Sequence, residues 1–232
     1  MPWMIAATVF SYGLGALIGL AWLLPLLNAA AGYPWMIAAL RRGRVKTAIV
    51  RMLVWGAVLG ACATVMGYAW PLHAERLILH GEAYRREMFA FVLTGQGAEG
   101  DPRQFLPQHA GHAALFCLLA IATGSALAMP LGAVLMNYMG FYVGALAAAS
   151  THPWRAAVLA WVPWALIRVA SFVVLGVVLG APLLARVFRF SYRLRDEWRW
   201  IALALAGLAA DALLKWLLAP SWRLLIRSAT GW

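Results

Sequence analysis

The sequence is short of charge, shorter of acid, and almost free of cysteine. Charged residues occupy 12% of its 232 positions, about half the share in a soluble domain. With 64% of the chain apolar, that scarcity excludes an ordinary water-soluble fold. Eight acids stand against nineteen basic residues, and among the apolar runs only Asp211 carries a carboxylate. The two cysteines, Cys62 and Cys117, both fall inside apolar runs, so no disulfide framework or cysteine metal site is signalled.

The net charge of +11 does not point to nucleic acid. The basic residues gather in short loops between apolar runs, which is how membrane topology is encoded. Arg41–Arg51 holds five of them in eleven residues without an acid, and Arg186–Arg199 holds another five. Crossings are expected over about Met1–Asn28, Met52–Trp70, Ala110–Met129, Leu131–Ser150, Ala156–Leu184 and Trp200–Leu218. The expected fold is all-α, a polytopic membrane protein of about six transmembrane helices in one domain, 1–232. Residues 1–45 form an extra helix and a basic segment before a core at 46–222. Met1–Asn28 lacks a basic n-region and is too long for a signal h-region, so it reads as a retained helix.

The positive-inside rule places 41–51 and 186–199 in the cytoplasm of a bacterial inner membrane and loop 71–108 outside. Four crossings between the basic loops agree with both being inside, and both chain ends then lie outside. In the outer segment, Leu77, Tyr84, Met88 and Phe91 recur at helical intervals. They predict one amphipathic interfacial helix over His73–Leu93, followed by turn-prone Glu99-Gly-Asp-Pro. Tryptophans near the expected ends (Trp35, Trp70, Trp154, Trp198, Trp200, Trp222) suit an aromatic belt. Gly124, Ala128, Gly132, Gly140 and Gly144 share an i,i+4 register that lets backbones approach closely.

Two sets of residues carry possible chemistry. Asn137, Arg168, Asp211 and Lys215 are polar groups within apolar runs, where an isolated charge costs about 3 kcal/mol or more. Arg168 and Asp211 sit at matching depths if their helices are antiparallel neighbours, and they are expected within hydrogen-bonding reach, directly or through one water, with Asn137 close by. Lys215, a turn nearer the outside, is expected to snorkel, although it also stands i,i+4 from Asp211. The second set is His73, His80, Glu87, His109, His112 and His152, all on the expected outer side. If they converge, neutral imidazoles with a carboxylate could hold zinc or copper; otherwise no cofactor is called for. No histidine lies deep enough in an apolar run for bis-histidine haem. Pro107-Gln-His-Ala-Gly-His-Ala lacks the serine of the phosphatidate phosphatase motif it superficially resembles.

Four stretches together resemble a known family: Val54–Tyr68, Leu131-Gly-Ala-Val-Leu-Met-Asn-Tyr-Met-Gly-Phe-Tyr-Val-Gly144, Val162-Pro163 with Arg168, Gly176 and Gly180, and Leu205-Ala-Gly-Leu-Ala-Ala-Asp211. From about residue 46 to 222 the chain resembles the stage II sporulation protein M family. Trp164 stands where that family has His, Arg168 where it has Glu, and the first helix is additional. The resemblance implies a multi-pass partner in envelope remodelling or a permease-like subunit, with no catalytic residue. The expected function is a non-enzymatic scaffold or permease-like component of an envelope complex, with the bilayer and other membrane or periplasmic proteins as partners. A solute or ion transporter working past Arg168 and Asp211 and an outer-face metalloenzyme are the alternatives.

Overall fold

A computed structural model describes residues 1–232, and every regular element in it is helical. Helices α1 (Pro2–Ile18), α2 (Leu23–Leu40) and α3 (Val45–Ala69) open the chain. The short α4 (Pro71–Leu77) and α5 (Gly81–Thr94) follow, then α6 (Pro102–Thr123) and α7 (Ala128–Ala148). The short α8 (Pro153–Ala160), α9 (Pro163–Phe188), a 3₁₀ turn at Leu194–Glu197 and α10 (Trp198–Thr230) complete it. Six of these are long and apolar enough to cross a membrane: α2, α3, α6, α7, α9 and α10 with its leading turn.

The N-terminal expectation is corrected. Met1–Asn28 is not one helix: α1 ends at Gly19, which adopts φ 73°, a left-handed conformation that glycine takes without strain. The chain turns there and α2 runs back along α1. Asn28 donates to the Ser11 hydroxyl at 2.8 Å, and Gly15 lies so close to Leu24 that a Cβ would meet its side chain at 2.7 Å. Met1 consequently lies beside Lys46, Thr47 and Arg51, at the basic end of the bundle. The N-terminus therefore lies on the side of the basic loops, not opposite them.

The two basic loops do share one end, since the Arg41 guanidinium sits 5.7 Å over the Phe188 ring. The other end gathers the 71–101 segment and the C-terminus. Arg223 donates to the Val92 and Leu93 carbonyls, Thr151 pairs with the Thr230 carbonyl, and Phe89 packs edge-on against Trp232. The expected single amphipathic helix is broken in two here, because His80 takes φ 60° between α4 and α5. Its faces are nevertheless sorted: Leu77 and Met88 are buried and Tyr84 stacks on Tyr138 of α7, while His73, His80 and Glu87 are exposed.

Glycines set the closest contact in the bundle, between α3 and α7. A Cβ on Gly140 would stand 2.8 Å from the Gly60 carbonyl, one on Gly67 2.7 Å from the Phe141 carbonyl, and one on Gly144 would overlap the Thr64 carbonyl. A neutral polar chain then ties the α1–α2 hairpin to this pair. Asn137 donates to the Asn28 side chain at 2.9 Å. Trp55 donates to the Asn28 carbonyl at 3.0 Å. The Tyr12 hydroxyl lies within reach of the Leu59 carbonyl and the Asn137 oxygen. Residues 1–45 are thus built into the core through buried polar groups that find partners, as they must in apolar surroundings.

Candidate functional site, a buried ionisable cluster at the head of a cavity

The site is assembled by three long helices and one loop. Asp101 caps α6 by accepting from the Arg103 N–H at 2.9 Å, and Pro102 occupies the first turn, where its missing N–H costs nothing. The helix therefore starts eight residues before the expected Ala110, and His109 lies two turns inside it, not at its opening. That depth brings His109 level with Arg168 of α9 and Asp211 of α10.

His109 is the hub. Its Nδ1 lies 3.4 Å from Asp211 Oδ2, and its ring also receives the Arg168 Nη1 group. The protons fit one assignment, inferred from this network. Nδ1–H faces the carboxylate, and Nε2 accepts from the arginine. Arg168 and Asp211 are brought together at 3.9 Å, an ion-pair distance too long for a hydrogen bond. Between the two stands the His109 imidazole, a bridge not expected from the sequence. Asp211 is almost wholly enclosed, with a side chain 2% exposed, and its Oδ1 has no partner from the protein.

Two further expectations are corrected. Lys215 does not snorkel: its side chain is 1% exposed and its Nζ lies 2.7 Å from Glu99 and 4.6 Å over the Phe105 ring. Asp211 is not the only carboxylate at this depth, because the 95–101 loop carries Glu99 down onto Lys215. Burial of an ammonium needs such a partner, and a cation over an aromatic face gains further when desolvated. Asn137 does not join the cluster. It faces the opposite side of α7, in the Tyr12–Asn28 network.

The histidines do not converge. His109 and His112 share one face of α6, whereas His73, His80 and His152 stand on separate surface elements, and no three His, Cys, Asp or Glu side chains are grouped to hold a metal ion. Glu87 sits at the rim of the cavity described next, not with His73 and His80. Tyr84 is nearby on α5; burial, then the Glu99 carboxylate and Tyr138, hold its phenol well above the usual range. It stays a neutral hydroxyl.

A cavity of about 130 Å³ runs from this cluster between α3, α6, α7 and α9, where roughly 15 Å³ of such space admits one water. Its head is polar: Glu87, Glu99, Gln108, His109, His112 and Arg168. Its far arm is apolar, with Met36, Met52, Met129, Met136, Phe116 and Phe172. Near that arm's end Ser125, at φ 70°, donates to the Gly176 carbonyl and holds the α6–α7 turn against α9.

Arg168 and Asp211 were legible as residues too costly to leave unpaired. In the sequence His109 reads only as a metal candidate, and the Asp101-Pro102 start signal is the cue to its true depth. Glu99 carried no cue, since a carboxylate in a turn-prone loop reads as solvated. Comparison of the chain with protein-family models, curated proteins and solved structures returns no match. Function is therefore argued from this geometry.

Proposed function

We propose that the chain is a multi-pass membrane protein of the transport type, a permease-like component whose pathway runs past Arg168 and Asp211. The observation that carries this reading is the cavity itself. A buried ionisable cluster stands at the head of an elongated space walled by four long helices, the usual setting of a solute path in a bundle. The basic loops are assigned to the cytoplasm of a bacterial inner membrane and the 71–101 segment to the outside. The resemblance to the stage II sporulation protein M family, which implies either a partner in envelope remodelling or a permease-like subunit, leaves room for this assignment.

The cluster suits binding better than covalent chemistry. A histidine oriented by an aspartate could act as a general base, but that needs a free Nε2 within reach of the substrate. Here Nε2 is covered by Arg168, with Lys215 at 3.5 Å. A scaffold role would need no cavity, and a metalloenzyme would need converging histidines.

The test is solute flux in proteoliposomes, using labelled anions, cations and neutral amphiphiles against protein-free vesicles. One solute class should cross faster with protein present. The charge-balanced variant Arg168→Gln/Asp211→Asn should abolish the excess while keeping its thermal unfolding transition. Equal rates with and without protein for every class would overturn the reading.

A further inference from the structure

Resting on that cavity, we infer that its ligand is a single-chain amphiphile with an anionic head, such as a carboxylate or phosphate monoester. The charge arrangement supports the head group. Lys215 and Glu99 neutralise each other at 2.7 Å, and Asp211 is engaged by His109. Glu87 lies at the exposed rim. Arg168 is the cation that lines the cavity with donors to spare. Only its Nη1 has a hydrogen-bond partner, the His109 imidazole, and its Nε stands 3.9 Å from the nearest carboxylate oxygen. A guanidinium with free, fork-shaped donors matches carboxylate or phosphate oxygens in paired hydrogen bonds.

The tail follows from the other arm. From Arg168 to Val177 the cavity follows α9 for nine residues, about 13 Å at 1.5 Å per residue, or roughly ten methylenes of an extended chain. Five of the lining residues are methionine, Met36, Met52, Met129, Met136 and Met139, a side chain that adapts to flexible apolar guests. A small hydrophilic anion would leave this arm unfilled. A cation would meet Arg168 at the inner end of the head, where Glu99 and Asp211 are already paired, and the one unpaired lining carboxylate, Glu87, lies at the exposed rim.

Equilibrium binding of labelled laurate to the full chain in phosphatidylcholine nanodiscs tests this, with empty discs subtracted. Laurate and dodecyl phosphate should bind saturably, and dodecyltrimethylammonium and acetate at least about tenfold more weakly, the effect of losing a charge-assisted hydrogen bond. Arg168→Gln/Asp211→Asn should weaken laurate by about tenfold or more. Val173→Trp, which fills the arm, should do the same with the head untouched. Equal binding of the cationic amphiphile, or full laurate affinity in both variants, would overturn the inference. If phosphatidylglycerol in the disc displaces laurate, the anionic head stands but the single-chain tail is overturned, and the source is the bilayer's own acidic lipid. Laurate binding without flux of any solute would sink the transport reading and leave this one. Flux of another solute without laurate binding would do the reverse.

Discussion

Asp211→Asn is expected to lower the thermal stability of the detergent-purified protein sharply, by about 3–5 kcal/mol where unfolding is reversible, whereas Arg168→Leu/Asp211→Leu costs much less. The asymmetry follows from burial. Asp211 is nearly enclosed, and it is the carboxylate nearest the Arg168 guanidinium at 3.9 Å. Neutralising it leaves a mostly buried cation beside an imidazole and a second buried cation, Lys215. Breaking a buried pair from one side is strongly destabilising, while replacing both partners by apolar groups can be nearly neutral. Differential scanning of the two variants beside the parent decides it. Single variants of full stability that lose flux would show that the cluster serves function alone.

Gly144→Leu is expected to abolish the folded protein, while Gly13→Leu leaves it intact. Both glycines lie in apolar helices, so hydropathy does not separate them. At Gly144 an added side chain meets the Thr64 carbonyl and Tyr68 backbone nitrogen of α3. Backbone cannot move aside as a side chain does, so α3 and α7 must separate and release the buried face of both. Overpacking a core costs about 1–3 kcal/mol even where side chains yield. Nothing lies within 4 Å of the corresponding position at Gly13. Size-exclusion profiles of the two variants check the contrast, and a monodisperse Gly144→Leu protein contradicts it.

These two residues also show how far the sequence could be read. The i,i+4 glycine register marked α7 as a packing helix and Gly140 and Gly144 as its contact face, because close approach of backbones needs small residues whatever the partner. The register could not say that the partner is α3. Asp211 and Arg168 were legible for the same kind of reason, a local cost that some neighbour must offset. His109 and Glu99 enter the cluster through where α6 starts and how the 95–101 loop folds, matters of tertiary placement.

The N-terminal hairpin is hidden from hydropathy because Met1–Leu40 is almost uniformly apolar. Hydropathy has no minimum at Gly19, although the left-handed glycine that ends α1 is a local signal. The parity of the basic loops did not depend on that region, and they meet at one end of the bundle as expected.

The central claim is that a water-accessible path leads from the end carrying the 71–101 segment past Arg168 into the bundle. Its most direct measurement is thiol labelling of Val173→Cys in a protein whose Cys62 and Cys117 are replaced by serine. Val173 lines the cavity arm, and Leu213 on α10, 52% exposed on the outside of the bundle, serves as the lipid-facing control. A small charged methanethiosulfonate reacts only with a hydrated thiolate. Added from the side of Gly97, it should modify Val173→Cys quickly and Leu213→Cys hardly at all. Equal inertness at both positions would mean that the cavity is closed to water, and the path past Arg168 would not exist.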